Sequence, residues 1–274
     1  SGKLLASHLS IPCITIPTSA ATCAGWTALS NIYSPEGAFI RDEVLQNCPD
    51  LLIFDHSFVR QAPARTIASG IADALAKWYE SSSTSISSAD GLVQQAVQMA
   101  RVLRDQLLID GKEAYENPKS DAWVRVAEGC ALTAGLIGGI GGSQCRTAAA
   151  HALHNGITQL KIEKQYLHGE IVCLGILVQL HLEEIFNTNQ LAGQSRKQLI
   201  QFLNEINLPV NLSQLGLDDL DIRRLEKACD FACKEGSDIH KLPFEMNTGI
   251  LLQALLKLRE DNILISQVLN TSNE

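Results

Sequence analysis

The chain has 274 residues, 46% hydrophobic and 19% charged, which excludes disorder and fibrous repeats and leaves room for a sizeable core. Aromatics make up only 5%, with Ala, Leu and Ile supplying the apolar mass, a mixture that favours packed helices over a β-sandwich. A net charge of -8 argues against a nucleic-acid surface, and eight irregularly spaced cysteines read as free thiols of a reducing cytoplasm.

The opening residues, SGKLLASHLSIPCITIPTS, read as the tail of a helix running into a strand. Ile11 to Pro17 is a β-branched run bounded by prolines, which predicts a buried strand. Thr27 to Tyr33 and Ala38 to Arg41 flank Ser34-Pro35-Glu36-Gly37, the turn chemistry of a hairpin. Leu51 to Asp55 is a second buried-strand candidate, and from Ala62 onward strand signals vanish.

Helices follow. One starts at Pro63 and runs to about Ser81. Ser88-Ala89-Asp90 caps another, in which Val93, Ala96, Val97, Ala100, Leu103 and Leu107 recur at three and four residues. Asp121 caps a third that runs towards Leu136, where the Gly138 to Gly142 run breaks it and Ser143 caps the next. Further helices are predicted over Gly169 to Phe186, Ser195 to Ile206, Asp218 to Cys233 and Thr248 to Glu260, with Gly216-Leu217-Asp218-Asp219 as a start signal. No run reaches the ~18 apolar residues of a membrane span; the best, Ile171 to Leu180, is ten long and reads as a core helix.

Three places carry candidate chemistry. Asp73 lies amid small apolar neighbours in Gly70 to Lys77, where a buried carboxylate costs several kcal/mol unless paired or bound to a cation. The alternative is an i, i+4 pair with Lys77 on a solvent face. His151 and His154 share one helical face after an alanine run, as ligands or as core histidines. His168 stands at a helix entrance beside Gly169, as a ligand or as a cap. Together, Asp, His and His from three helices suffice for a divalent metal with one open position. No Gly-x-Ser-x-Gly elbow is present, Cys229 and Cys233 read as core, and the sequons at Asn211 and Asn270 mean little in a cytoplasmic chain.

The segments PTSAATCAGWTALSNIYSPEGAF, APARTIASGIADALAKWYE, AAAHALHNGIT, YLHGE and EGSDIHKLPF, in this order, closely resemble the glycerol dehydrogenase branch of the metal-dependent (iron-containing) alcohol dehydrogenase family. The resemblance covers residue 2 to about 260. It implies a dehydroquinate-synthase-like fold, here an α/β remnant (residues 1–60) followed by an all-α metal-binding domain (residues 61–274). By match to the family, Asp73, His151 and His168 are the metal ligands, and Thr18, Thr27 and Leu29 adjoin the nicotinamide cofactor, NAD or NADP. His154 is a candidate proton relay. Lys77 replaces the further histidine of the iron-binding branch, so a zinc-type site is expected.

The implied reaction moves hydride between a metal-bound alcohol and nicotinamide, on a small alcohol, polyol or aldehyde, in a homo-oligomer that binds neither nucleic acid nor membrane. Cys23 stands where glycerol dehydrogenases have an aspartate facing the substrate, and Trp26 where they have a small residue. Both departures predict a substrate less polar than glycerol. The family's GGGK turn, which cradles the pyrophosphate, belongs just upstream of Ser1. Residues 1–60 therefore read as the C-terminal part of a Rossmann-like domain, and the truncated form as weak or inactive. The alternatives are a non-redox metal-binding remnant and a dehydroquinate-synthase-like lyase.

Overall fold

A computed structural model describes residues 2–258 apart from 161, 163, 164, 218 and 219. Helix α1 (Gly2–Leu9) leads into β1 (Ile14–Thr15). The hairpin forms as its turn chemistry predicts: β2 (Leu29–Tyr33) pairs antiparallel with β3 (Phe39–Val44) around Ser34 to Gly37. β1 pairs in parallel with β4 (Leu51–Leu52), Ile14 opposite Leu51. These two strands are shorter than predicted, because Pro12 and Pro17 carry no amide hydrogen for a ladder. They are not buried either: Ile11, Ile14, Ile16, Leu51 and Ile53 are 43–59% exposed, since no layer among the described residues covers this sheet. Asp55 ends no strand. Its carboxylate accepts from Ser57 N at 2.8 Å and caps the short helix α2 (His56–Val59).

α1 is tied back by one side chain. The Lys3 ammonium donates to the carbonyls of Ala24, Thr27 and Leu29 at 2.6–2.8 Å, fixing the segment that enters β2.

The helical body begins with α3 (Ala64–Thr84), α4 (Gly91–Glu116) and α5 (Asp121–Glu128). Asp90 caps α4 through Leu92 N, as its position predicts. Ser120, not Asp121, caps α5, because only its hydroxyl reaches back to Trp123 N, at 3.1 Å. A π-helical turn (Gly129–Thr133) continues directly into α6 (Ala134–Gly141), so the glycine run remains helical until Gly142 turns to φ +60°. The continuous run Asp121–Cys145 is by length and composition the one described helix apolar enough to cross a bilayer, yet half of it is buried inside the protein, as in a core helix.

The chain continues through α7 (Ala149–Ile157), α8 (His168–Ile185), α9 (Ala192–Glu205) and α10 (Ile222–Ala232). α11 (Thr248–Leu258) follows. α10 starts at the Asp221 cap, while Asp218 and Asp219 of the predicted start signal lie outside the described residues. So do Glu260, the predicted end of α11, and the Asn270 sequon. α3 and α8 are buried on nearly every side and occupy the centre, where α7 packs on α8 and α4 packs on α3.

Candidate metal centre

Three ionisable residues interrupt the buried face of α3: Asp73, Lys77 and Glu80, at i, i+4 and i+7, only 4%, 6% and 1% exposed. The Asp73–Lys77 pair does form, with 3.8 Å between Nζ and Oδ1, but it sits in the interior and not on a solvent face. Small neighbours at Ala72, Ala74 and Ala76 let adjoining helices close over it. Burial alone would raise the Asp73 carboxyl; Lys77, His151 and His168 outweigh it and hold the group well below the usual carboxylate range.

His151 comes from α7. Its Nε2 lies 3.2 Å from Asp73 Oδ1 and its Nδ1 lies 2.5 Å from Glu80 Oε2. The other oxygen of Glu80 accepts from the backbone amides of Ala148 and His151 at 2.6 and 3.0 Å. α7 has no side-chain cap of its own, so the Ser143 cap read from sequence is replaced by a carboxylate reaching over from α3. That carboxylate sits where the helix dipole favours negative charge. Burial pulls the His151 imidazole down, but Glu80 and Asp73 prevail and raise it to about 9.

His168 is the first residue of α8, after the N-cap Leu167, and its ring faces Asp73 instead of capping the helix. Its Nε2 is 3.4 Å from Asp73 Oδ1, and its Nδ1 is 3.0 Å from His154 Nε2. His154 Nδ1 in turn lies 3.0 Å from Asn155 Oδ1. Burial, then the neighbouring His168, holds His154 well below its ordinary value, so its ring is neutral. With Asn155 Oδ1 accepting, His154 carries its proton on Nδ1 and accepts at Nε2 from His168 Nδ1–H. The start of α8 is pinned to α3 by Gly169 N donating to Ser69 Oγ at 3.0 Å and by the two-pronged Arg65–Glu170 pair at 2.5 and 2.6 Å. A Cβ at Gly169 would collide with the Ser69 carbonyl.

Asp73, His151 and His168 thus offer ligand atoms that all lie within 4.8 Å of one another. Both histidines spend Nδ1–H on a protein acceptor and turn Nε2 towards the carboxylate. Two imidazole nitrogens and a carboxylate oxygen, with room for one further ligand, form the donor set of an open divalent site.

The other predicted residues divide. Cys23 opens a 3-10 turn, is buried, and lies within electrostatic reach of Lys77 and Asp73; burial pushes its thiol up to about 11, so it is uncharged. Half-buried Trp26 packs on Gly135 of α6, and its indole Nε1 is buried without a hydrogen-bond partner among the described residues. Thr27 and Leu29 have their carbonyls bound by Lys3, and Thr18 is exposed in the loop after β1. Sequence reasoning passed over Glu80, Arg65 and Ser69. The signal for Glu80 was its i+7 spacing from Asp73 on an otherwise apolar helix.

No family model matches the chain. It is 33% identical over 261 residues to a glycerol dehydrogenase of Pseudomonas putida, covering 93% of this chain and 70% of that protein. The chain belongs to the glycerol dehydrogenase branch of the metal-dependent (iron-containing) alcohol dehydrogenase family. An uncharacterized oxidoreductase of Synechocystis shares 49% identity with this family member over 256 residues, 93% of this chain and 66% of that protein. The crystal structure of a probable glycerol dehydrogenase from Sinorhizobium meliloti 1021 superposes with a TM-score of 0.84 at 28% identity, over 93% of this chain and 72% of that one. The fold of this alcohol dehydrogenase homologue is therefore dehydroquinate-synthase-like, and the chain spans about two thirds of the length of the curated relatives it matches.

Proposed function

We propose that this chain carries the metal centre of an NAD(P)-linked alcohol or polyol dehydrogenase, with Asp73, His151 and His168 holding one zinc ion. The observation that carries this reading is the convergence of the His151 and His168 Nε2 atoms on one buried carboxylate, each ring held at its Nδ1 by a neighbouring side chain. When bound, the ion supplies Lewis acidity to a substrate oxygen and the nicotinamide cofactor supplies the two-electron partner.

The chain's own residues do the positioning. Glu80 keeps the His151 ring in place, and Asn155 and His154 do the same for His168. With both ring nitrogens engaged, His154 suits orientation of His168 better than proton relay. The Lys77 ammonium balances the buried charge of Asp73 and, having no lone pair, adds no fourth ligand, which favours the three-ligand zinc arrangement over iron. Residues 1–60 form the cofactor side, with Thr18, Thr27 and Leu29 along it; Lys3 holds the last two in line. The uncharged Cys23 thiol and the bulk of Trp26 favour an alcohol or aldehyde less polar than glycerol. All eight cysteines are free, in keeping with a reducing cytoplasm.

The test is metal content together with turnover. The purified protein, loaded with zinc, should bind one ion per chain, and the enzyme should oxidise simple alcohols with NAD or NADP faster than glycerol. Absence of stoichiometric zinc overturns the site, and faster glycerol oxidation overturns the substrate reading.

A further inference from the structure

The cations around the metal centre are spent on partners. Lys77 pairs with Asp73, Arg65 with Glu170, and Lys241 with Asp238 at 2.7 Å. Arg146 differs: the residue is half-buried, yet among the described residues its guanidinium has no hydrogen-bond or ion-pair partner. An arginine partly withdrawn from water ordinarily finds a carboxylate or a carbonyl. The rest of the residue is fixed. It lies between the 3-10 turn Gly142–Cys145 and α7, where its carbonyl accepts from Lys77 Nζ at 3.5 Å. The next hydroxyl, of Thr147, donates to Asp238, and Ala148 N donates to Glu80 at 2.6 Å.

The Arg146 stem lies on Gly138 of α6, where an added Cβ would stand 3.1 Å from its Cγ. Trp26 lies on Gly135, three residues earlier on the same face of α6, so the two side chains are neighbours about one helical turn apart. The guanidinium is within electrostatic reach of Lys77, beside the metal centre, and of Asp42 on β3, itself within reach of His151. It thus stands between the hairpin and α3, on the side where Trp26 and His151 lie. We propose that Arg146 is a specificity-determining residue, whose guanidinium binds a carboxylate of the substrate while the alcohol or aldehyde oxygen sits at the metal centre. The substrate class is then a short hydroxycarboxylate or its oxo acid. The inference rests on the metal-centre reading of Asp73, His151 and His168, and it adds a charged end to a substrate whose hydroxyls Cys23 and Trp26 limit. A guanidinium offers two parallel N–H donors to the two carboxylate oxygens. The carboxylate is unchanged by the reaction: hydride passes from the carbinol carbon to nicotinamide, the hydroxyl proton is released, and a carbonyl forms.

Titration calorimetry and steady-state kinetics on the zinc-loaded enzyme test this, with 2-, 3- and 4-hydroxybutyrate each set against its own amide. The amide keeps the size of the acid and loses its charge. At least one acid should surpass its amide by about tenfold or more in both Kd and kcat/KM. Arg146→Gln keeps a stem on Gly138 and should bring that ratio close to one, mainly through KM for the acid, with zinc content unchanged. Arg146→Lys keeps the charge without the planar fork and should recover part of the ratio. Amides that match every acid, or an Arg146→Gln variant that loses acid and amide alike, would overturn the proposal. So would weaker binding of NAD or NADP by Arg146→Gln with the acid preference intact, which assigns the guanidinium to a cofactor phosphate. Loss of acid preference with zinc still bound is read at Arg146 alone, whereas a parent protein without zinc overturns the metal-centre reading and this proposal with it.

Discussion

Glu80 acts twice on His151: one carboxylate oxygen caps the helix that carries it, and the other receives its Nδ1 proton at 2.5 Å. A single residue of α3 therefore sets both the backbone and the ring of a candidate ligand on α7. Replacing it by Ala leaves two amides and an imidazole nitrogen unpaired in the interior, which should cost about 3–5 kcal/mol of stability. Urea unfolding of Glu80→Ala measures this, and Glu80→Gln, which keeps one acceptor oxygen, should fall less.

His154 should matter to metal affinity through His168. His154→Phe removes the acceptor at His168 Nδ1 and should weaken zinc binding by about 10–100-fold, the usual effect of losing a ligand's hydrogen-bond partner. His154→Gln presents an oxygen at a similar reach and should recover part of the loss. Competition with a chelator of known affinity gives both values, and equal affinities for parent and Phe variant would remove His154 from this role.

The metal-free protein should bind zinc more tightly as pH rises. Burial works against the His151 proton, yet Glu80 and Asp73 raise its pKa to about 9, so a cation must displace that proton at neutral pH. Log affinity should therefore climb by about one per pH unit between pH 7 and 8, and His151→Ala should abolish binding. The same shift has a stability consequence of opposite sign. A raised histidine pKa stabilises the metal-free fold fully below about 6.5, and the contribution is lost as pH rises through about 9. A flat affinity profile would take His151 out of the ligand set.

Gly169→Ala drives a Cβ into the Ser69 carbonyl, and backbone cannot yield as a flexible side chain would. The start of α8 must then lift away from α3, stretching the Gly169–Ser69 and Arg65–Glu170 bonds and carrying His168 with it. A destabilisation of about 1–3 kcal/mol together with weaker zinc binding is expected. Thermal melts with and without zinc separate the two effects: the stabilisation that zinc confers should shrink as well as the baseline Tm.

Cys23→Asp should move the substrate preference towards polyols. It places a hydrogen-bonding carboxylate within reach of Lys77, where an uncharged thiol stands now. The ratio of kcat/KM for glycerol to that for a monohydric alcohol should rise by about tenfold or more. An unchanged ratio would show that this side chain does not face the substrate.

Much of this protein is written locally in its sequence. Periodicity within α4, the Asp90 cap, the Ser34–Gly37 turn and the apolar length of α8 each depend on residues within a few positions of one another. Asp73, His151 and His168 were also legible, because polar residues among alanines stand out and because their segments resemble a known family. Only the tertiary structure decided what surrounds them. The cap of α7 comes from Glu80, 68 residues before Ala148, so no inspection of the chain near Ser143 reveals it. The setting of the His168 ring depends on Asn155 through His154, and Lys77 became a buried counter-ion only when α7 and α8 closed over α3. Local spacing determines helices and turns because their hydrogen bonds are short-range. Which lone pair faces which carboxylate depends on how helices far apart in sequence come to rest against each other.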